Sequence, residues 1–389
     1  ISKKIMKEIN CDILIVGAGL TGLMTAYALS RLPIKIVIID KYDFTKKINL
    51  NNDLRTTAIA EGSKVFLEKI NIWPLISKHA EPIKMIKVID RERPNVINFE
   101  NKLEKNNLGY IVRNTIIKKI ILNFINSKEN VKLIKNSIIA KIEDKQTSII
   151  CSSGKNLINC KLLIAADGKK SSIREIKKMN SYKKKYAHKA LVVNFNHSLS
   201  HQNTAYELFL KNGPLAILPM KKIDNNYFSS SLIWSHKPSY VNHLKEIDKK
   251  MLKLIIAEQI NDYVGDVVKI VDSQFFDLSA HINTKFYDYR TIYLGDSAHS
   301  IHPIAGQGWN LGVRDIKSAL KIIDNNLSLG IDIGSESLCK KYHEETFYDS
   351  YALFQITDKL NSIFMLDKSP YKNFRKSGIG IINRNKKLK

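Results

Sequence analysis

Near its amino-terminal end the sequence carries a pattern that predicts a dinucleotide-binding βαβ unit. An apolar run from Cys11 to Val16 leads into Gly17-Ala18-Gly19-Leu20-Thr21-Gly22, a helical pattern follows, and a second apolar run ends at Asp40. In such a unit the first glycine permits a tight turn, the second lets a pyrophosphate approach the backbone, and the third lets helix and strand pack closely. An acid about twenty positions on accepts a hydrogen bond from a ribose hydroxyl. We therefore expect a doubly wound α/β domain that binds a dinucleotide.

A second region combines a strand end, an acidic turn, a glycine-rich loop and a helix start. The apolar run 291–294 ends at Gly295-Asp296, and Gly306 and Gly308 precede apolar residues at helical spacing. The carboxylate of Asp296 is placed to accept hydrogen bonds from a sugar or polyol, and the two later glycines let backbone pass close to a flat ligand. The free N–H groups of the helix point back at that ligand, as would suit a reduced flavin.

These motifs resemble those of a known family. The run from His302 to Gly308, followed by Asn310, Gly312 and Asp315, resembles the signature of the ubiquinone-biosynthesis hydroxylases, which are FAD-dependent aromatic monooxygenases. The segment from Asp167 to Arg174 fits D-G-x-x-S-x-x-R, which in flavoprotein aromatic hydroxylases serves FAD and pyridine nucleotide together. We also expect Asp167 and Arg174 to form an ion pair that holds this turn.

The resemblance implies an α/β fold. It has an FAD-binding Rossmann-like domain of the para-hydroxybenzoate hydroxylase kind, an interleaved mixed β-sheet substrate domain, and C-terminal helices. We expect the FAD-binding domain at 1–80, 105–180 and 286–330, and the substrate-binding sheet at 81–104 and 181–285. Residues 331–389 would form a helical region with a basic tail. The arginine usual in the family a few residues after Tyr342 is absent, which leaves the subfamily open.

The resemblance also implies which residues bind the cofactor. It places Arg55 beside the flavin and Arg113 near the cofactor phosphates or ring. The full cofactor-binding set is Gly17, Gly19, Leu20, Thr21, Gly22, Asp40, Arg55, Arg113, Asp167, Gly168, Gly295, Asp296, Gly306, Gln307, Gly308 and Asn310.

A strand pattern between Gly213 and Pro219 resembles the part of the family's sheet that roofs the substrate pocket over the flavin. The substrate-binding candidates are Leu215, Ile217, Leu218 and Pro219. The same residue types also form the core of a sheet, so both roles stay open for them.

The implied activity is hydroxylation of the aromatic ring of a polyprenylated phenol, with O2 and electrons from NAD(P)H. Because the flavin supplies the difficult chemistry, the protein must mainly position the substrate and keep the pocket dry. Pro303 to Gly308 would line the ring, and His302 could assist deprotonation of the phenol. His299 and His302 lack a third ligand nearby, so we expect no metal site.

Composition bears on partners and location. The 389 residues carry a net charge of +25 and a pI near 9.6. The lysines are scattered, so they indicate solvated faces or attraction to an anionic membrane, and no motif supports a nucleic-acid partner. The four cysteines show no metal or disulfide spacing. With no apolar run long enough to span a bilayer, we expect a cytoplasmic protein peripheral to the inner face of the membrane.

Other functions remain open from the sequence. One is a flavin hydroxylase of a soluble aromatic compound, and another is a non-catalytic flavin-bearing subunit of a quinone-synthesis assembly, whose proteins would be its partners. A flavin halogenase or prenyl reductase is a further class, but the W-x-W-x-x-P feature of halogenases is absent. Only one dinucleotide fold is visible, so pyridine nucleotide must bind transiently or an external reductase must supply electrons.

Overall fold

The computed structural model describes residues 7–45, 53–91, 95–100, 107–222, 226–302 and 306–365. The strands are β1 Lys7–Val16, β2 Ile36–Ile39, β3 Thr56–Ala60, β4 Glu81–Ile83, β5 Met85–Asp90, β6 Asn95–Glu100, β7 Gly109–Arg113, β8 Val131–Ile134, β9 Lys141–Asp144, β10 Ile149–Ser153, β11 Asn156–Ala165, β12 Ser181–His197, β13 Thr204–Leu210, β14 Gly213–Met220, β15 Phe228–His236, β16 Val267–Asn283, β17 Tyr287–Asp288, β18 Thr291–Tyr293 and β19 His299–Ser300. The α-helices are α1 Leu20–Leu29, α2 Glu61–Lys69, α3 Trp73–Ile76, α4 Asn114–Ile125, α5 Ser172–Ile176, α6 Pro238–Glu246, α7 Lys249–Val264, α8 Gly308–Ser328 and α9 Glu336–Met365.

The chain divides into two compact units. The first comprises residues 1–49, 117–184 and 280–355, and the second comprises residues 50–116, 185–279 and 356–389. Each unit is therefore built from segments that are far apart in the sequence. The division into FAD-binding, substrate-binding and C-terminal regions stays a prediction.

The first unit is built on a sheet in which β18, β11, β1, β2 and β8 are neighbours and run parallel. Ile15 pairs with Ile164 on one side and with Ile38 on the other. All four residues of β2 are buried, as expected for a parallel strand covered on both faces. The chain passes from β1 through α1 to β2, which is the βαβ unit predicted from the sequence.

The second unit contains a mixed sheet in the order β16-β12-β15-β14-β13-β5-β6. The pairing of β13 with β5 is parallel, whereas β12, β15, β14 and β13 are joined by antiparallel pairing. Helices α6 and α7 contribute Leu244, Leu252 and Ile256 to a core cluster that includes Leu191 and Leu232 of the sheet. A small sheet of β3, β7 and β4 completes the unit. The predicted α/β class with a mixed β-sheet is therefore observed.

Pro74 lies in the first turn of a short helix. Helix α2 ends at Lys69, and Trp73 begins the short helix α3. Proline is accepted in the first turn of a helix, because its missing N–H would have no partner there in any case.

All four cysteines are free thiols. Burial raises the pKa of Cys11 and of Cys339 to about 12, so neither thiol ionises near neutral pH. Among the helices that the structure describes, none combines the length and the apolar composition needed to cross a bilayer.

Candidate functional site

The carboxyl edge of the parallel sheet gathers most of the predicted cofactor residues. Gly17 follows β1, Asp40 follows β2, Asp167 follows β11, and Gly295 follows β18. These four strands are neighbours in the sheet, in the order β18, β11, β1, β2. Ligands of open α/β sheets bind outside the carboxyl ends of the strands, where the chain leaves in different directions. The topology therefore brings four separate sequence motifs to one candidate binding edge.

The three glycines of the first loop serve different purposes. Gly17 has φ +105°, and a Cβ there would lie 2.4 Å from the carbonyl oxygen of Ala166. A Cβ on Gly22 would lie 1.9 Å from the carbonyl oxygen of Gly17, so the protein itself excludes side chains at both positions. A Cβ on Gly19 would meet no atom within 4 Å in the part of the chain that the structure describes. The absence of a side chain at Gly19 fits the approach of a ligand, as expected for a pyrophosphate.

Asp40 holds the same loop from the end of β2. Its Oδ2 accepts a hydrogen bond from the backbone N–H of Ala18 at 2.7 Å, and its Oδ1 accepts one from Tyr42 at 2.8 Å. The sequence predicted only a ribose-binding role. A carboxylate can accept further bonds at both oxygens, so the observed structural contacts leave that role available.

Two helices present uncapped amino-terminal ends. Gly19 precedes α1 and Gln307 precedes α8, and neither residue caps its helix with a side chain. Neither helix has an acidic side chain in its first turn. A Cβ on Gly295, in the acidic turn, would lie 2.8 Å from Oγ1 of Thr21 in α1, and a Cβ on Gly312, in α8, would lie 3.3 Å from it. The acidic turn and α8 therefore both approach α1 closely. Two positive helix ends near one edge favour an anionic ligand.

The turn after β11 corrects one prediction. Oδ2 of Asp167 accepts hydrogen bonds from the backbone N–H groups of Ser172 at 2.7 Å and Ile173 at 3.2 Å. The carboxylate therefore binds the start of α5. The predicted ion pair with Arg174 is wrong, because the helix start takes the carboxylate instead. Oδ1 of Asp167 is buried without a hydrogen-bond partner, as expected of a residue that contacts a bound cofactor.

The side chain of Arg174 contacts the acidic turn instead. Its Nη1 donates to Nε2 of His281 at 2.8 Å and to the carbonyl oxygen of Ser297 at 3.2 Å, and its Nη2 donates to the carbonyl oxygen of Lys169. Burial, and then the charge of Arg174, lower the pKa of His281 to about 3. His281 is therefore neutral and accepts the hydrogen bond. Arg174 joins the turn after β11 to the turn after β18.

A buried pair, which the sequence did not predict, supports the acidic turn. Oδ2 of Asp315, in α8, accepts hydrogen bonds from the backbone N–H of Gly295 at 2.8 Å and from Nε2 of His299 at 2.7 Å. Burial lowers the pKa of His299, but Asp315 more than offsets this and raises it above the ordinary value. Asp315 belongs to the signature run, but the sequence pattern did not indicate its partners. His299 therefore has a structural partner in Asp315.

The remaining signature residues are placed as follows. His302 is 2% exposed and Asn310 is 2% exposed. Gly306 has φ +61°, and a Cβ on Gly308 would meet no atom of the described residues within 4 Å. Pro303 lies outside the described residues. The proposed role of His302 in phenol deprotonation stays a prediction.

In the second unit, Arg55 and Arg113 lie at the paired ends of two strands. Thr56 pairs with Arg113, and the backbone N–H of Asn114 donates to the carbonyl oxygen of Arg55 at 3.1 Å. The side chain of Arg55 is exposed and forms an ion pair with Asp53 at 2.8 Å. Arg113 is 8% exposed, and burial lowers its pKa. No described carboxylate lies within ion-pair distance of Arg113, so this buried cation lacks a counter-ion in the described chain.

The four substrate candidates on β14 do not share one environment. Leu215 and Ile217 are 0% and 1% exposed and lie in the core cluster with α6 and α7. Leu218 packs against a second cluster that contains Ile83 and Ile111. Successive side chains of a strand point to opposite faces of the sheet, so Pro219 shares the face of Ile217. Only Leu218 lies on the face opposite the helices.

Known proteins resemble this chain over almost its whole length. The sequence profile of the FAD binding domain matches residues 10–348. The chain belongs to this FAD-binding family. FAD is accordingly its cofactor, and the open Gly19, the unpaired Asp167 oxygen and the uncapped helix ends fit that cofactor. The fold class predicted from the sequence is confirmed.

Relatives with assigned names support the resemblance found in the sequence. Ubiquinone hydroxylase UbiL of Rhodospirillum rubrum is 29% identical over 379 residues, covering 97% of this chain and 87% of the relative. The 3-demethoxyubiquinol 3-hydroxylase of Escherichia coli is 25% identical over 371 residues, covering 95% and 93%. The resemblance to the ubiquinone-biosynthesis flavin monooxygenases is confirmed.

Solved structures share the fold at low sequence identity. The p-nitrophenol 4-monooxygenase PnpA of Pseudomonas putida has a TM-score of 0.80 and 14% identity, with 98% of this chain and 96% of PnpA covered. PqsL of P. aeruginosa has a TM-score of 0.77 and 16% identity, with 92% and 97% covered. The protein therefore has the fold of flavin-dependent monooxygenases.

Proposed function

We propose that this flavoprotein hydroxylates the aromatic ring of a polyprenylated phenol in ubiquinone biosynthesis. O2 supplies the oxygen atom, and the electrons come from NAD(P)H. The main support is the convergence of the Gly17, Asp40, Asp167 and Gly295 motifs at one edge of the parallel sheet, in a chain whose relatives are ubiquinone hydroxylases. When bound, FAD supplies the redox chemistry that amino-acid side chains lack.

The chain contributes binding and orientation. Gly19 and the start of α1 bind the pyrophosphate, and Asp40 accepts from the ribose. The start of α8 would hold the flavin through its free N–H groups, and Asp296, which is exposed, would accept a hydrogen bond from the ribityl chain. The role of Arg113 near the cofactor, which the family resemblance implies, stays a prediction. The mixed sheet of the second unit carries the substrate-binding wall.

Positive charge and a membrane-dissolved substrate together favour attachment to the inner face of an anionic bilayer. The net charge of +25 attracts the anionic surface, and this attraction is screened by salt. We expect co-sedimentation with phosphatidylglycerol-containing vesicles that weakens several-fold between low and high salt. Binding that does not respond to salt would exclude this electrostatic attachment.

The activity is tested with the purified, FAD-loaded protein. NADH and NADPH are each added with and without 2-geranylphenol, a short prenylated phenol, and flavin bleaching, O2 consumption and product mass are recorded. We expect a product heavier by one oxygen and faster O2 consumption when the phenol is present. A flavin that neither nucleotide nor an added reductase reduces would favour the non-catalytic subunit. Activity on soluble aromatic acids alone would favour the soluble-substrate hydroxylase.

The pathway is tested in cells that lack the protein. Accumulation of one under-hydroxylated polyprenyl phenol would identify both the pathway and the ring carbon. An unchanged quinone pool would contradict the proposed pathway.

A further inference from the structure

Two buried polar atoms on the sheet of the second unit have no hydrogen-bond partner. They are Oδ1 of Asn194, in β12, and Oγ of Ser231, in β15. The two residues are 1% and 0% exposed. An unpaired buried polar atom costs about 1–3 kcal/mol, so two of them in neighbouring strands require an explanation.

Strand pairing places both side chains on the sheet face opposite α6 and α7. Asn194 and Ser231 are directly opposite each other, and Ser231 is also opposite Leu218 of β14. Directly opposed residues of antiparallel strands share a face. The adjacent residues Val193 and Leu232 lie in the core cluster with the helices, as alternation along a strand requires.

The orientation of the Asn194 amide is determined by its other contact. Nδ2 donates to the carbonyl oxygen of Leu54 at 3.1 Å, a bond that only the nitrogen of the amide can make. The N–H of Leu54 in turn donates to the side-chain oxygen of Gln274 at 3.2 Å. The unpaired Oδ1 of Asn194 is therefore an acceptor held in place, and the hydroxyl of Ser231 beside it can donate.

Apolar side chains border this acceptor and donor on β14. Leu218 and Met220, on the same face, pack with Ile83, Ile111 and Ala205. The neighbouring polar residues on that face, Asn196 and Ser229, already satisfy each other, because Oγ of Ser229 donates to Oδ1 of Asn196 at 3.1 Å. A molecule that satisfies the two atoms must therefore be mainly apolar and must carry one group that both donates and accepts. A phenolic hydroxyl on a prenylated ring has this chemistry.

We propose that Asn194 and Ser231 form the subsite that binds the phenolic hydroxyl of the substrate. This inference rests on the proposed function and specifies which residues orient the ring. The hydroxyl donates to Oδ1 of Asn194 and accepts from Oγ of Ser231. Both partners are neutral, so the subsite binds the protonated phenol and positions it without taking its proton.

The test compares two serine variants that are neighbours in β15. S231A removes the unpaired hydroxyl. The control S230A removes a hydroxyl on the other face, where Oγ of Ser230 is hydrogen-bonded to Nε2 of His197 at 2.9 Å. The affinity of the FAD-loaded protein is measured from the change in flavin absorbance on titration with 2-geranylphenol and with its methyl ether, which cannot donate. Thermal unfolding of each variant is recorded as well.

We expect the original protein to prefer the phenol to its ether, because only the phenol can donate to Oδ1 of Asn194. S231A should lose about tenfold in affinity for the phenol, and it should also weaken binding of the ether, because both oxygens can accept from Oγ of Ser231. S231A should melt no lower than the original protein, because no bond within the protein is lost. S230A should melt lower, because it leaves His197 with a missing partner, and should keep the preference for the phenol.

Three results would overturn the inference. The first is full affinity of S231A for the phenol. The second is equal binding of phenol and ether by the original protein while it hydroxylates the phenol. The third is destabilisation of S231A by as much as S230A. In all three cases the proposed function would stand. If the original protein binds neither probe and hydroxylates no prenylated phenol, the proposed function fails and the inference fails with it.

Discussion

Glu207 provides a test of how strongly burial affects a single carboxylate of the second unit. It lies in β13, opposite Ala216 in β14 and Val88 in β5, both apolar. Burial raises its pKa from 4.5 to about 7, and no described cation lies within ion-pair distance of it. We predict that replacing Glu207 by Gln stabilises the protein above neutral pH, because the amide has no charge to desolvate.

The sign and size follow from the two pKa values. A carboxylate whose pKa is higher in the folded state contributes its full stability below pH 4.5 and loses it as the pH rises through about 7. At pH 8 the ionised carboxylate costs about 3 kcal/mol relative to pH 4.5. E207Q should therefore unfold with a free energy about 3 kcal/mol higher at pH 8, and with a difference of only about 0.8 kcal/mol at pH 5.

The assay is urea unfolding at a series of pH values from 5 to 8, at one fixed FAD concentration, followed by tryptophan fluorescence. Trp234 lies in the core of the second unit and reports on it. The matched control is E246Q, which changes an exposed carboxylate at the end of α6 and should give no pH-dependent difference. A stability difference for E207Q that does not vary with pH, or that is negative at pH 8, would refute the reasoning.

Two further predictions concern the first unit. G19A should fold with unchanged stability, because Gly19 has φ −68° and a Cβ there meets no protein atom, but its FAD affinity should fall about tenfold or more. G22A should lower both stability and flavin content, because its Cβ would lie 1.9 Å from the carbonyl oxygen of Gly17. The flavin-to-protein absorbance ratio measures the flavin content of both variants, and the melting temperature measures their stability. Full flavin content in G19A would contradict the pyrophosphate role of Gly19. D315N should destabilise the fold by about 3–5 kcal/mol by removing one partner of a buried pair. Because the pKa of His299 is raised, the pair contributes most at low pH and less as the pH rises through that pKa, so urea unfolding should show a larger loss for D315N at pH 6 than at pH 10.

The parts of the first unit that the sequence predicted are those determined by local patterns. Strand ends followed by Gly17, Asp40 or Gly295 could be recognised because turns and helix starts have characteristic residues at fixed spacing. The contacts between these segments were not predictable in the same way. The spacing of Asp167 and Arg174 suggested an ion pair, but the N–H groups at the start of α5 lie closer to the carboxylate.

The role of Asp315 depends on tertiary structure. Its carboxylate joins α8 to Gly295 and His299, which precede it by 20 and 16 residues. The sequence shows all three residues within the stretch 295–315 but does not show which of them are in contact. A buried Asp in an amphipathic helix was a usable signal, because a buried charge requires a partner.

The sheet face that carries the proposed substrate subsite was hardest to predict from the sequence, and the reason is specific to β14. Its residues from Pro214 to Met220 are all apolar, so the strand shows no alternation of polar and apolar positions that would tell one face from the other. The neighbouring strand β12 carries the missing information. Within its apolar run Leu191-Val192-Val193-Asn194-Phe195 there is one amide, and a polar side chain in a buried strand requires a partner that the strand itself does not provide.

The pairing of β12 with β15, and of β15 with β14, then shows that Ser231 and Leu218 lie on the same sheet face as Asn194. Asn194 departs from the rule that buried positions of a strand are apolar. This departure marks the sheet face where a substrate hydroxyl is expected, and the apolar residues of β14 alone could not identify that face.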